Sequence, residues 1–106
     1  MTGYSMGGFG TFHLLAQEPK LFAAGVPVAG GGNPGTASSF KDVPVWVFHG
    51  AKDPTVPVAA SQRMVEALKD KKGEVKYTEY PDGDHGIAGQ VYGDEEVHEW
   101  LFEQSR

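Results

Sequence analysis

Near the start of the chain, Gly3-Tyr4-Ser5-Met6-Gly7 sets a serine between two glycines at the spacing Gly-x-Ser-x-Gly. A serine hydroxyl is a weak nucleophile until a turn exposes it and a neighbouring base takes its proton. Glycines on either side permit a sharp strand-to-helix turn with the serine strained and exposed at its apex. Ser5 is therefore expected to be a nucleophile on such an elbow, with Gly3 and Gly7 allowing the turn. The Met6 N–H, opening the following helix, is expected to face a developing oxyanion. Gly8 and Gly10 are expected to let that helix approach a sheet closely.

A base and an acid of suitable type lie further on. His85, in Asp82-Gly83-Asp84-His85-Gly86, could accept the serine proton and return it to a leaving group. Asp53, in His49-Gly50-Ala51-Lys52-Asp53-Pro54-Thr55-Val56-Pro57, could hold that imidazole in one tautomer and orientation. Asp82 and Asp84 could take the acid's place, although loop acids beside a glycine more often form Asx turns. His13 and His98 fall within helical patterns and read as surface or packing residues. His49 precedes a glycine turn and is expected to shape the acid loop. No spacing matches a zinc or EF-hand site, so no metal or cofactor is expected.

These side chains need a scaffold that brings distant loops together. Met6 to Gln17 carries apolar residues at helical spacing, with Pro19 just beyond. Phe22 to Val28 reads as a strand, and Gly30 to Ser39 as a surface loop. Val43 to Phe48, with Val45, Trp46 and Val47, reads as a strand buried on both faces. Ala59 to Lys71 puts Met64, Val65 and Leu68 on one stripe, a helix ended by Gly73. Val75 to Tyr80 alternates as a strand, and Glu95 to Gln104 closes the chain as a helix. Strands alternating with helices imply parallel βαβ units: an α/β class with a small, mostly parallel sheet of three to four strands flanked by helices. Ser5, Asp53 and His85 then each follow a strand, at the edge where open α/β sheets place their ligands.

With 106 residues, 40% hydrophobic and 22% charged, the chain reads as a single globular domain over residues 1–106. A formal net charge of -5 argues against a nucleic-acid partner, which needs clustered cations. The basic cluster Lys69, Lys71 and Lys72 fits a solvated helix end. The absence of cysteine excludes disulfides and thiol chemistry. No stretch approaches the roughly 20 apolar residues that cross a bilayer, and no targeting signal is visible, so a soluble chain without a membrane partner is expected and its compartment is left unassigned.

At Gly3 to Thr11, Pro44 to Pro57, Ser61 to Lys69, Tyr77 to Pro81 and the His85 loop, the sequence resembles the carboxyl-terminal half of bacterial α/β-hydrolases of the esterase, dienelactone-hydrolase-like and feruloyl-esterase-like group. The resemblance implies a truncated α/β-hydrolase fold, a partial domain from nucleophile elbow to last helix. Its triad order of serine, acid and histidine falls on Ser5, Asp53 and His85, with one oxyanion donor on the Met6 amide. It implies a serine carboxylic-ester hydrolase acting on small-molecule esters, short acyl or aryl, through an acyl-enzyme. In such hydrolases further strands and a second oxyanion loop precede the elbow, whereas Met1 and Thr2 alone stand before Gly3 here. An exposed sheet edge is therefore expected, covered in a homodimer through the strand Phe22 to Val28 or through the elbow. Two other readings are a non-catalytic remnant that binds a partner through that edge and a prolyl-oligopeptidase-type peptidase, which shares the elbow and the order.

Overall fold

A computed structural model describes residues 2–104. Four short strands, β1 (Thr2–Tyr4), β2 (Val26–Val28), β3 (Val45–Gly50) and β4 (Val75–Tyr80), pair in parallel in the order β1-β2-β3-β4. The connections carry helices α1 (Met6–Gln17), α2 (Ala37–Phe40) and α3 (Val58–Asp70), and β4 is followed by α4 (Ala88–Tyr92) and α5 (Glu95–Gln104).

The run Val45-Trp46-Val47-Phe48 explains the layering. Every residue of β3 is buried, and its side chains alternate between two faces. Val45 and Val47 pack with Phe12 and Leu15 of α1, Phe40 of α2, and Met64 and Leu68 of α3. Trp46 and Phe48 point the other way, to Val26, Val28, Ile87, Val91 and Val97 beneath α4 and α5. Removing each of these large side chains from water contributes about 1.5–3 kcal/mol before entropy is counted. Trp46 also meets Trp100 edge-on, with centroids 5.7 Å apart, and gives its indole N–H to Thr78 Oγ1 at 2.9 Å.

Helices α1 and α5 and strand β4 coincide with the sequence reading, and α3 differs by one residue at each end. The second strand is shorter than expected, Val26–Val28 rather than Phe22 to Val28. Pro27 accounts for part of this. Gly25 and Ala29 donate toward β3, to Pro44 O at 2.9 Å and Phe48 O at 2.9 Å, and Pro27 between them has no N–H to give. The third strand is displaced to Val45–Gly50, so His49 lies inside it. The segment from Gly30 to Ser39 is only partly a surface loop: Gly30, Gly31 and Ala37 are buried, and α2 begins within it. Helix α3 ends with Lys72 rather than Gly73 in the left-handed region (φ 58°), while Gly73 N–H closes the cap on Leu68 O at 2.7 Å.

The expected exposed edge lies at β1. β2 is internal, flanked by β1 and β3, and therefore offers no edge to a second copy. Of the glycines thought to admit α1 to the sheet, Gly8 does so: a Cβ there would sit 2.7 Å from Val28 O. Gly10 does not, because a Cβ would meet nothing within 4 Å. The partner of Gly8 is Gly30, where a Cβ would lie 2.5 Å from the Gly8 carbonyl carbon. Gly30→Ala is accordingly expected to destabilise the fold by about 2 kcal/mol or more, whereas Gly10→Ala gains roughly 0.5–1 kcal/mol of helix stability. Urea titrations of the two variants check this opposition of sign.

Candidate active site

The chain turns from β1 into α1 at Ser5, whose backbone (φ 57°, ψ -114°) lies where residues with a Cβ seldom go. Such a conformation costs on the order of 1–3 kcal/mol and persists only when its surroundings impose it. Ser5 N–H is tied to Val28 O at 2.8 Å, and Ser5 O accepts from Gly8 N at 2.8 Å and Phe9 N at 3.1 Å. Gly3 clears the inside of the turn, since a Cβ there would be 2.1 Å from Gly7 O. Gly7 shows no matching need: a Cβ would meet nothing within 4 Å, and its backbone is not left-handed.

This strain redirects the serine side chain. A serine at a helix N-cap ordinarily accepts an N–H from the first turn. Ser5 makes no such side-chain cap. Its Oγ lies instead 2.7 Å from His85 Nε2.

Asp53 is supplied by the loop after β3. Its Oδ1 accepts Thr55 N–H and Val56 N–H, both at 2.8 Å, which folds the loop around the carboxylate. Its Oδ2 lies 2.6 Å from His85 Nδ1 in a position closed to solvent. Burial by itself would raise the Asp53 carboxyl. The Val56 N–H, the His85 imidazole and the Thr55 N–H together outweigh it and hold the group below its ordinary value of 3.8. An ionised carboxylate only accepts, so His85 Nδ1 carries the proton, and in the neutral ring Nε2 is left to accept from Ser5 Oγ–H.

His85 lies on the loop after β4 and is held from two sides. Tyr4 donates its hydroxyl proton to His85 O, and the two rings lie 5.2 Å apart, tilted by 34°. The acid loop grips the other side through Lys52 N–H to Gly83 O at 2.9 Å. Gly50 makes this approach possible, since a Cβ there would be 2.4 Å from Gly83 O. The exposed Lys52–Asp82 pair, 3.2 Å apart, spans the same two loops and adds little.

Ser5, His85 and Asp53, expected from sequence, thus form one line of contacts. Asp84 accepts Gly86 N–H at 2.8 Å in an Asx turn, and neither it nor Asp82 is hydrogen-bonded to the imidazole. Met6 opens α1, where its N–H has no acceptor within the helix. His13 is exposed on α1, and His98 lies at the surface with Nε2 2.6 Å from Tyr92 O. Among the described residues, no group of three or more His, Asp or Glu is placed to hold a metal ion. Tyr4 and Gly50 escaped the sequence reading: Tyr4 contacts a residue 81 positions away, and no local pattern announces that.

Residues 33–105 match the sequence profile of the Prolyl oligopeptidase family. The chain belongs to this family. A curated relative, dipeptidyl aminopeptidase BIII of Pseudoxanthomonas mexicana, is 28% identical over an alignment covering 81% of this chain and 18% of that protein. A thermostable esterase of known structure is 41% identical, with a TM-score of 0.85 over 96% of this chain and 29% of that one. The acylaminoacyl peptidase of Pyrococcus horikoshii shares the fold at 19% identity and a TM-score of 0.77, over 99% of this chain and 22% of its own. The α/β-hydrolase fold expected from the sequence is therefore the fold of this family member. The chain spans less than a fifth of the length of the curated relatives it matches.

Because the folded-state pKa of Asp53 is depressed, its contribution to stability is present above the unfolded carboxylate value and lost as pH falls through the folded one. Unfolding free energies measured from pH 2 to 6 are expected to rise more steeply with pH in the wild type than in Asp53→Asn, with the difference concentrated below about pH 4.

Proposed function

We propose that the chain carries the reaction centre of a serine carboxylic-ester hydrolase acting on short acyl or aryl esters. The observation that supports this best is the unbroken line Ser5 Oγ–His85–Asp53, with contacts of 2.7 and 2.6 Å. Ser5 Oγ attacks the ester carbonyl carbon while His85 Nε2 takes its proton. The Met6 N–H faces the oxyanion. Collapse of the tetrahedral intermediate breaks the bond to the alcohol, which leaves with the proton from His85. Water then repeats the sequence against the acyl-Ser5 ester and releases the acid. Asp53 keeps Nδ1–H oriented and stabilises the transient imidazolium.

A second reading is favoured by the family and by its dipeptidyl aminopeptidase relative: the same groups would cleave a peptide bond. The esterase reading is preferred because the esterase of known structure is 41% identical, against 28% for that aminopeptidase. Alkoxide and phenoxide also leave more readily than an amine, so ester cleavage asks less of the groups on this chain. Hydrolysis of p-nitrophenyl butyrate and of a dipeptidyl p-nitroanilide, with wild type and Ser5→Ala, separates the two. Turnover of the ester, lowered by about 1,000-fold or more in Ser5→Ala, is expected. Equal rates for wild type and variant would remove Ser5 from the reaction, and turnover of the anilide alone would favour the peptidase.

We also propose that a second copy of the chain covers the outer edge of β1, since an unpaired strand edge invites pairing. Light scattering at micromolar concentration is expected to give the mass of a dimer, and a stable monomer would rule that out.

A further inference from the structure

Beside Asp53, near the same carboxylate oxygen that meets His85, lies a second imidazole that the proposed reaction does not use. His49, at the carboxyl end of β3, is 0% exposed. Its Nε2 is 2.7 Å from Val56 O and 3.4 Å from Asp53 Oδ2, and its Nδ1 is 2.6 Å from Ser61 Oγ. Ser61, buried on α3, is also 2.9 Å from Gly30 O.

The chemistry of these neighbours assigns one proton. A carbonyl and a carboxylate only accept, so the nitrogen facing both must be a donor, and His49 carries a proton on Nε2. Ser61 has a single hydroxyl proton for His49 Nδ1 or for Gly30 O. Either arrangement leaves the Nε2–H in place.

That N–H holds the residue that holds the acid. The Val56 carbonyl accepts the His49 Nε2–H, and Val56 donates its own N–H to Asp53 Oδ1 at 2.8 Å. The same Nε2–H lies against Oδ2, the oxygen bound to His85, at 3.4 Å, a distance at which the N–H dipole faces the carboxylate without forming a full hydrogen bond. The geometry points to His49 as a positioning residue for Asp53: its Nε2–H, held in register by Ser61, fixes the acid loop and the carboxylate that orients His85. The inference rests on Asp53 serving as the acid of the proposed reaction. It extends the line of contacts through His49 and Ser61 to Gly30, which packs against Gly8 in the helix that follows Ser5.

The test compares His49→Leu, which fills similar volume without an N–H, with His49→Gln, which restores a donor near the position of Nε2. Two quantities are read: the split between kcat and KM for p-nitrophenyl butyrate, and the low-field proton NMR signal of His85 Nδ1–H, which reports its bond to Asp53 without turnover. His49→Leu is expected to lower kcat on the order of 10-fold with KM within about twofold, and to move that proton signal upfield. His49→Gln is expected to bring both back toward wild type. An unchanged kcat and an unmoved signal in a folded His49→Leu would overturn the inference, as would a folded His49→Gln no better than the Leu variant. If His49→Leu does not fold, Ser61→Ala decides: it keeps the ring and removes its support, so an upfield signal upholds the role and an unmoved one rejects it. Ester hydrolysis indifferent to Ser5→Ala would remove the proposed function, while the proton signal would still decide what His49 does.

Discussion

The turn at Ser5 holds its serine at a positive φ that costs free energy, and much of the molecule is arranged to impose it. Strand β1 is anchored against β2, and the amide of Ser5 is bound to the last carbonyl of that strand. Gly3 leaves room inside the turn, while Gly8 and Gly30 bring helix and sheet backbones into direct contact. With the backbone in this state the hydroxyl is withdrawn from the capping role that a relaxed serine would take. It is then available to an imidazole from the far end of the chain.

The parallel sheet supplies the rest of the geometry. All four strands run in one direction, so the connections leaving β1, β3 and β4 emerge along the same edge, and three residues far apart in sequence meet there. Orientation alone would bring them near one another, but not within hydrogen-bonding distance. The close packing of Gly50 against Gly83, and the backbone bond from Lys52 to Gly83, set the acid loop against the histidine loop. Tyr4 adds a grip from the elbow side. The acid is held by two backbone N–H groups, which favour its ionised form despite burial and thereby determine which nitrogen of His85 carries the proton.

This arrangement of serine, histidine and aspartate occupies a chain much shorter than the curated relatives it matches. Sheet, elbow, acid loop and histidine loop are all contained in it. Residues 33–105 carry the match to the family profile, while the elbow lies ahead of that span and is supported by its own backbone geometry. A serine paired with a histidine base can serve ester and peptide cleavage alike, because both reactions begin with the same attack and proton transfer.

The sequence by itself determined the residue types and the alternation of elements. The spacing of Gly3, Ser5 and Gly7, the apolar run of β3 and the stripe on α3 are local patterns, and local patterns survive without knowledge of contacts. Asp53 and His85 could be picked out because each follows a strand. Only the tertiary structure decided what depends on residues meeting across the chain. Pro27 interrupts the β2–β3 ladder through a missing donor that matters only once β3 lies beside it, and α2 is stabilised by burying Phe40 in a core that the linear sequence does not display. Gly7 and Gly10, which look structural in sequence, face open space, whereas Gly30 and Gly50 prove sterically demanded. His49 reads as a loop-shaping residue and stands in the structure beside the acid, because burial, hydrogen-bond partners and proton placement are properties of three-dimensional neighbours rather than of order along the chain.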